Sequence, residues 1–204
     1  NKLELENHLN TVLENLDDDK SHLRNLSEFR INAMQLSAAI LDGFELRSKY
    51  NTREFLDALM SVVRERKFDR HSSGFDRLEE AELFQSEGLI EIRKLIAEYD
   101  KIIEEITFWE YRYNSFTEAM EEELYTKGFF SEILIFLRSY PDPNEDLDLL
   151  GNYDFHSSLI RFKPINGLFI RCGGTSDQAI DFYGQLIVKS EKLSETIELY
   201  LVDI

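Results

Sequence analysis

Along residues 3–44 apolar side chains recur every three or four positions: Leu5, Leu9, Val12, Leu13, Leu16, Leu23, Leu26, Phe29, Ala33, Leu36, Ile40 and Phe44. That period predicts one amphipathic helix with a single apolar stripe, and no proline or glycine interrupts it before Gly43. At about 1.5 Å per residue an unbroken helix here would extend roughly 60 Å, which suits a stalk or the arm of a hairpin. The stripe thins at Asp17, Asp18 and Asp19, where solvent or a kink is expected.

Asn51 and Glu54 have capping-box spacing, and Phe55, Leu56, Leu59, Val62 and Val63 then mark a short second helix. It closes on Arg64, Arg66 and Lys67, cations that suit the negative end of a helix dipole. His71-Ser72-Ser73-Gly74 is expected to be a break, followed by a short piece over 75–84 that buries Leu78, Ala81 and Leu83. Ser86 is the expected cap of a second long helix over 87–125. Its stripe is Leu89, Ile92, Leu95, Ile96, Tyr99, Ile102, Ile103, Ile106, Trp109, Tyr113, Phe116, Met120 and Leu124. Two long amphipathic helices pack most simply as an antiparallel pair. Gly128 is read as the stop of the second, with a short apolar helix over 129–140 ended by Pro141-Asp142-Pro143 and an acidic loop over 144–148.

Residues 154–172 admit two readings. Segments 158–163 and 167–172 are rich in Leu, Ile and Phe and fit a small hairpin, whereas 154–163 also fits a capped helix stopped by Pro164. The helix is preferred, because a lone hairpin is marginal without a sheet to join. Gly173-Gly174 reads as a hinge. Thr175 to Gln178 has capping-box spacing, and Ile180, Tyr183, Leu186, Ile187, Ser190, Leu193, Ile197 and Leu201 give a final helix. The expected fold is all-α: one helical domain over 1–204, a long antiparallel hairpin or bundle with short additional helices.

Composition narrows the function classes. The 204 residues carry 40 acidic against 23 basic side chains, a net charge of −17, which disfavours nucleic acid as a partner because phosphate contacts need clustered Lys and Arg. With 43% hydrophobic residues there is material for a core, and with 3 Pro and 9 Gly there are few helix breakers. A single cysteine, Cys172, excludes an intramolecular disulfide framework and a cysteine-based zinc site. No apolar run reaches the roughly 18–20 residues of a membrane span.

Candidate chemistry is sparse. Arg66 and His71 stand at an Arg-x4-His spacing beside Arg64, Lys67, Arg70 and Arg77, which resembles the motif of small helical ribonucleases of the HEPN class. A basic helix end running into a solvated loop explains the same residues, and no catalytic role is assigned to them. Glu4 with His8 and Asp18 with His22 have i, i+4 spacing, but two ligands do not close a metal site, and residues 142–148 lack the glycine of a calcium loop. Glu121, Glu122 and Glu123 are consecutive on a helix and point in different directions. Gly173-Gly174-Thr175 lacks the lysine of a phosphate-binding loop. No cofactor and no metal are expected. Phe108, Trp109, Tyr111, Tyr113 and Phe116 are too many aromatics for one core stripe, and they form the candidate interaction surface, for a protein partner or a weak homodimer.

Several segments taken in order resemble an uncharacterised family of bacterial single-pass membrane proteins. NKLELENHLNTVLENL (1–16) resembles the charged helix just after that family's membrane span. HSSGFDRLEEAELFQSEGLIEIRKL (71–95), with Ser73-Gly74 ahead of Leu78, resembles its Ser-Gly element leading into an amphipathic helix, and SEKLSETIELYL (190–201) resembles its terminal helix. The resemblance implies a helical extracytoplasmic region with a transmembrane anchor upstream of Asn1, and no particular activity. The expectation is a membrane-anchored helical scaffold or protein-interaction domain, not an enzyme; without an upstream anchor the location would be cytoplasmic. The alternatives are an acidic immunity-type inhibitor of a basic toxin, whose charge would speed encounter, and a HEPN-like ribonuclease using Arg66 and His71.

Overall fold

The computed structural model describes residues 2–45, 52–131 and 163–203. The chain is all-α, with no strand among the described residues. Helices α1 (Lys2–Glu45), α2 (Thr52–Val63), α3 (Ser73–Glu80), α4 (Ile90–Thr126) and α5 (Pro164–Asp203) follow in order, with single 3₁₀ turns at Glu82–Gln85 and Glu87–Leu89 before α4. Residues 129–131 begin a further helical turn after Gly128, whose φ of +80° is the left-handed conformation that glycine adopts without strain. The rest of the helix expected over 129–140, the loop at 144–148, the helix or hairpin over 154–162 and the Asn51 cap lie outside the described residues.

The chain forms two compact units: unit 1 is Asn1–Glu28, Lys67–Trp109 and Ala179–Ile204, and unit 2 is Phe29–Arg66 and Glu110–Gln178. Each has its own core. In unit 1, Leu5, Leu9, Leu16 and Leu23 of α1 meet Leu89, Leu95 and Ile106 of the α4 segment and Leu186, Leu193 and Ile197 of α5. In unit 2, Phe55, Leu59 and Val62 of α2 pack with Ala33 and Ile40 of α1, Tyr113 and Leu124 of α4, and Leu168 and Phe169 of α5.

Contacts within unit 1 fix the helix directions. Segment 71–83 runs back along α1, since Asp19 meets His71, Asn15 meets Gly74 and Leu5 lies beside Leu83. It also runs against α4, where Arg70 reaches Asp100 and Arg93 reaches the Phe84 carbonyl. Both long helices oppose the same segment, so here α1 and α4 are parallel to each other. The antiparallel partner of α4 is α5, with Lys189 on Glu98 and Tyr200 beside Gly88. An antiparallel bundle is present, but the pairing expected between the first two long helices is not. The physical reason is the connection between them, which is itself partly helical and carries the chain back.

Gly173-Gly174 is not a hinge. Helix α5 passes straight through it, and its buried positions Phe169, Cys172, Ser176, Ala179 and Tyr183 step by three and four over the pair. Two interior glycines cost about 1 kcal/mol each relative to alanine, which an uninterrupted buried stripe outweighs. Thr175 therefore caps nothing: its hydroxyl donates to the Arg171 carbonyl one turn back. Pro164 opens α5, in the first turn where its missing N–H is harmless, and 167–172 is helix, not strand.

Candidate functional site

The Asp run reads differently once folded. Asp17 and Asp18 are exposed, but Asp19 continues the buried stripe between Leu16 and Leu23 and has no exposed surface. A carboxylate there must find donors, and three converge on it. The Tyr99 hydroxyl donates to Oδ2 at 2.6 Å. The His71 backbone N–H donates to Oδ1 at 2.9 Å, and the His71 ring nitrogen Nδ1 lies 2.8 Å from the same oxygen. Burial, then the charge of Asp19, push the Tyr99 phenol well above its ordinary range, so this hydroxyl keeps its proton.

Arg70 completes the cluster. It donates to Asp100 at 2.6 Å, and its guanidinium carbon stands 3.8 Å from the centre of the Phe75 ring, which stacks on Tyr99. Burial raises the Asp100 carboxyl and the Arg70 charge opposes that. Asn15, one turn before Asp19, accepts the Gly74 N–H at 2.7 Å and so caps α3 from another helix. Ser72, the N-cap residue, gives its hydroxyl to Asp76 instead.

Chemically this is an Asp–His pair of which only the histidine is partly open, its side chain 46% exposed. Asp19 favours the proton on Nδ1 and leaves Nε2 as the outward nitrogen. A covalent Ser–His–Asp arrangement would add a serine hydroxyl in reach of Nε2. The flanking Ser72 and Ser73 hydroxyls are committed to Asp76 and Asn15. Arg66, the other residue of the Arg-x4-His pattern, belongs to unit 2, where its guanidinium covers the Phe29 ring and its carbonyl accepts from Arg30.

Unit 2 buries a charge pair of its own. Arg30 and Glu110 are 2% and 3% exposed with 3.8 Å between Nη2 and Oε1; the Arg30 guanidinium also lies over the Tyr113 ring, whose hydroxyl donates to the Val62 carbonyl. Removing Glu110 takes a carboxylate away from a buried guanidinium, so Glu110→Ala is expected to cost about 3 kcal/mol, whereas Arg30→Met with Glu110→Leu together should be near neutral. Urea unfolding of the three proteins checks this; equal losses for the single and double variants would refute it.

The five aromatics differ in exposure. Tyr113 is buried in the unit 2 core, Phe116 is half-buried there beneath the Arg171 guanidinium, and Tyr111 is 70% exposed. Phe108 and Trp109 belong to unit 1, where their rings meet edge to face and Phe108 stays half-exposed. Glu4 and His8 are 3.8 Å apart, while His22 leans on the Phe68 ring. Among the described residues no three His, Cys, Asp or Glu side chains gather as a metal site, and no helix is long and apolar enough to cross a membrane. In the segment expected to bury Leu78, Ala81 and Leu83, the buried residues are Phe75, Leu78 and Phe84, because the chain leaves α3 after Glu80 and turns Leu83 outward.

One surface feature had no counterpart in the sequence reading. In unit 1 a groove of about 840 Å³ runs between α4 and α5, with Ile102, Ile180, Gly184 and Val188 as its apolar part. Glu98, Lys101, Asp181 and Lys189 ring it, and Val188 is 65% exposed. The apolar stripes locate the cores and not the grooves between them, so only Val188, an apolar residue on the polar side of its helix, hinted at it. The chain matches no protein-family model, no curated protein and no solved structure.

Proposed function

We propose that this chain is a helical scaffold or protein-interaction domain, held at a bacterial membrane by an upstream anchor with these helices on the extracytoplasmic side. The observation that carries the interaction reading is the groove of unit 1, an exposed apolar strip with a charged rim, the arrangement of a protein contact. The polar groups inside unit 1 support it from the other direction: Tyr99 of α4 donates to Asp19 of α1 and Gly74 of α3 donates to Asn15 of α1, which is how structural polar groups behave. The membrane half of the proposal rests on the family resemblance of 1–16, 71–95 and 190–201.

The test places a photo-cross-linking amino acid at Val188 of the native full-length protein in its own cell, with Glu195 as the control position on the same helix. A protein adduct of defined mass is expected at 188 and not at 195, in the membrane fraction, and protease added from the extracytoplasmic side should remove it. Absence of any adduct at 188 would refute the interaction reading. Recovery of the protein in the soluble cytosolic fraction would refute the anchor.

A further inference from the structure

We infer that the groove between α4 and α5 receives a second copy of this chain, docked through the same face about a two-fold axis near Gly184. The inference rests on the interaction reading above and names its partner.

The first observation is the glycine. Gly184 sits in the interior of a 40-residue helix, where glycine is disfavoured relative to alanine. A Cβ added there would meet no atom of the chain within 4 Å, so nothing inside the molecule requires its absence. A residue without a side chain at an exposed helical position is suited to the close approach of a second helix from outside.

The second observation is charge. The chain carries a net −17, and like copies repel. The groove departs from that average: Glu98 and Asp181 are balanced by Lys101 and Lys189. Lys189 is held by Glu98 at 2.5 Å and Asp181 by Gln185 at 2.9 Å, so both rim charges have fixed positions. A basic partner would find no net negative patch here, and an acidic one no net positive patch. Along α5 the negative Asp181 stands at one end of the groove and the positive Lys189 at the other, an order that an inverted copy of the same helix meets with opposite signs facing.

The third observation is spacing. Ile180 and Asp181 lie four residues before Gly184 and Gln185, and Val188 and Lys189 lie four residues after them. An antiparallel pairing of α5 with its copy, centred at that level, sets Ile180 against Val188 and Asp181 against Lys189, and repeats both contacts by symmetry. Such rim pairs select the orientation more than they add affinity.

Sedimentation velocity of the purified chain, across a concentration series and at two salt concentrations, decides the matter. The weight-average sedimentation coefficient should rise with concentration into the high micromolar range. The dimer should tighten at least several-fold between 50 and 500 mM sodium chloride, probe concentrations chosen so that screening weakens the net repulsion (Debye length falling from about 14 to about 4 Å). Val188→Glu, at a largely exposed position, should weaken the dimer at least tenfold with the circular dichroism unchanged. Asp181→Lys should weaken it by a smaller factor, and Glu195→Lys should not. A monomer at every concentration in 500 mM salt overturns the inference, as does a dimer that Val188→Glu leaves intact. In the cross-linking experiment an adduct of twice the chain mass supports the second copy. An adduct with another protein alone overturns it while leaving the interaction reading standing, and the absence of any adduct removes both.

Discussion

Asp19→Ala is expected to destabilise the protein by about 3–4 kcal/mol, because the change leaves buried donors without an acceptor at roughly 1–3 kcal/mol each. The His71 backbone N–H loses its partner outright and the Tyr99 hydroxyl keeps only Ser190, while the half-exposed His71 ring can turn to water. Tyr99→Phe removes one donor and leaves Asp19 with the His71 pair, so a smaller loss of about 1–2 kcal/mol is expected. Asp19→Asn should fall between wild type and alanine, since its carbonyl oxygen still accepts. Chemical denaturation monitored by circular dichroism gives the ranking directly. A loss below about 0.5 kcal/mol for Asp19→Ala, the range of an ordinary surface substitution, would mean that the carboxylate is not the centre of this cluster.

Gly74→Ala should be nearly as damaging, although alanine is the better helix former. A Cβ at this position would stand 2.6 Å from the Val12 nitrogen and 2.7 Å from the Thr11 carbonyl carbon, both backbone atoms of α1. Neither can swing aside, so the first turn of α3 has to retreat and the 2.7 Å hydrogen bond from Gly74 to Asn15 opens. A loss of about 2–4 kcal/mol is expected, overpacking plus the lost cap. Gly173→Ala supplies the contrast: nothing lies within 4 Å of its added Cβ, and the ordinary gain of up to about 1 kcal/mol should appear. Thermal melts of the two variants should move in opposite directions, and a common direction would refute the close-approach argument.

Much of this fold is visible in the pattern of apolar residues. The stripe from Leu5 to Ile40 and the stripe from Leu89 to Leu124 are largely buried, and in the final run from Ile180 to Leu201 the residues Tyr183, Leu186, Ser190, Leu193 and Ile197 are buried while Ile180, Ile187 and Leu201 are half-buried, because a period of three and four says which face a helix must hide. What the pattern misreads is polar or small. Asp19, Arg30 and Glu110 occupy buried positions, and a charged residue looks like solvent until its partners are known, here at 71, 99 and elsewhere along distant stretches of chain. Gly173-Gly174 looks like a break because its neighbours cannot show that the stripe steps over it. The cap of α3 comes from Asn15, 59 residues upstream, where no local motif can reveal it. Five clustered aromatics suggested a single patch, but position on the helix turns Tyr113 inward and Tyr111 outward only two residues away. The groove around Gly184 depends on the spacing between two helices, a quantity absent from any one segment.

In unit 1 the facing stripes are built mostly of leucine and isoleucine, which pack almost as well against one leucine as against the next. Sliding one helix past its neighbour by a turn, about 5.4 Å, would exchange apolar contacts for similar apolar contacts and change little of their energy. Asp19 is the exception. After such a slide its carboxylate would face hydrocarbon, and the Tyr99 hydroxyl and the His71 backbone N–H would lose the acceptor they share. Misaligned packings are penalised by this one buried charge far more than by the surrounding hydrocarbon. The cluster thereby sets the register of the bundle, which leucines alone leave ambiguous.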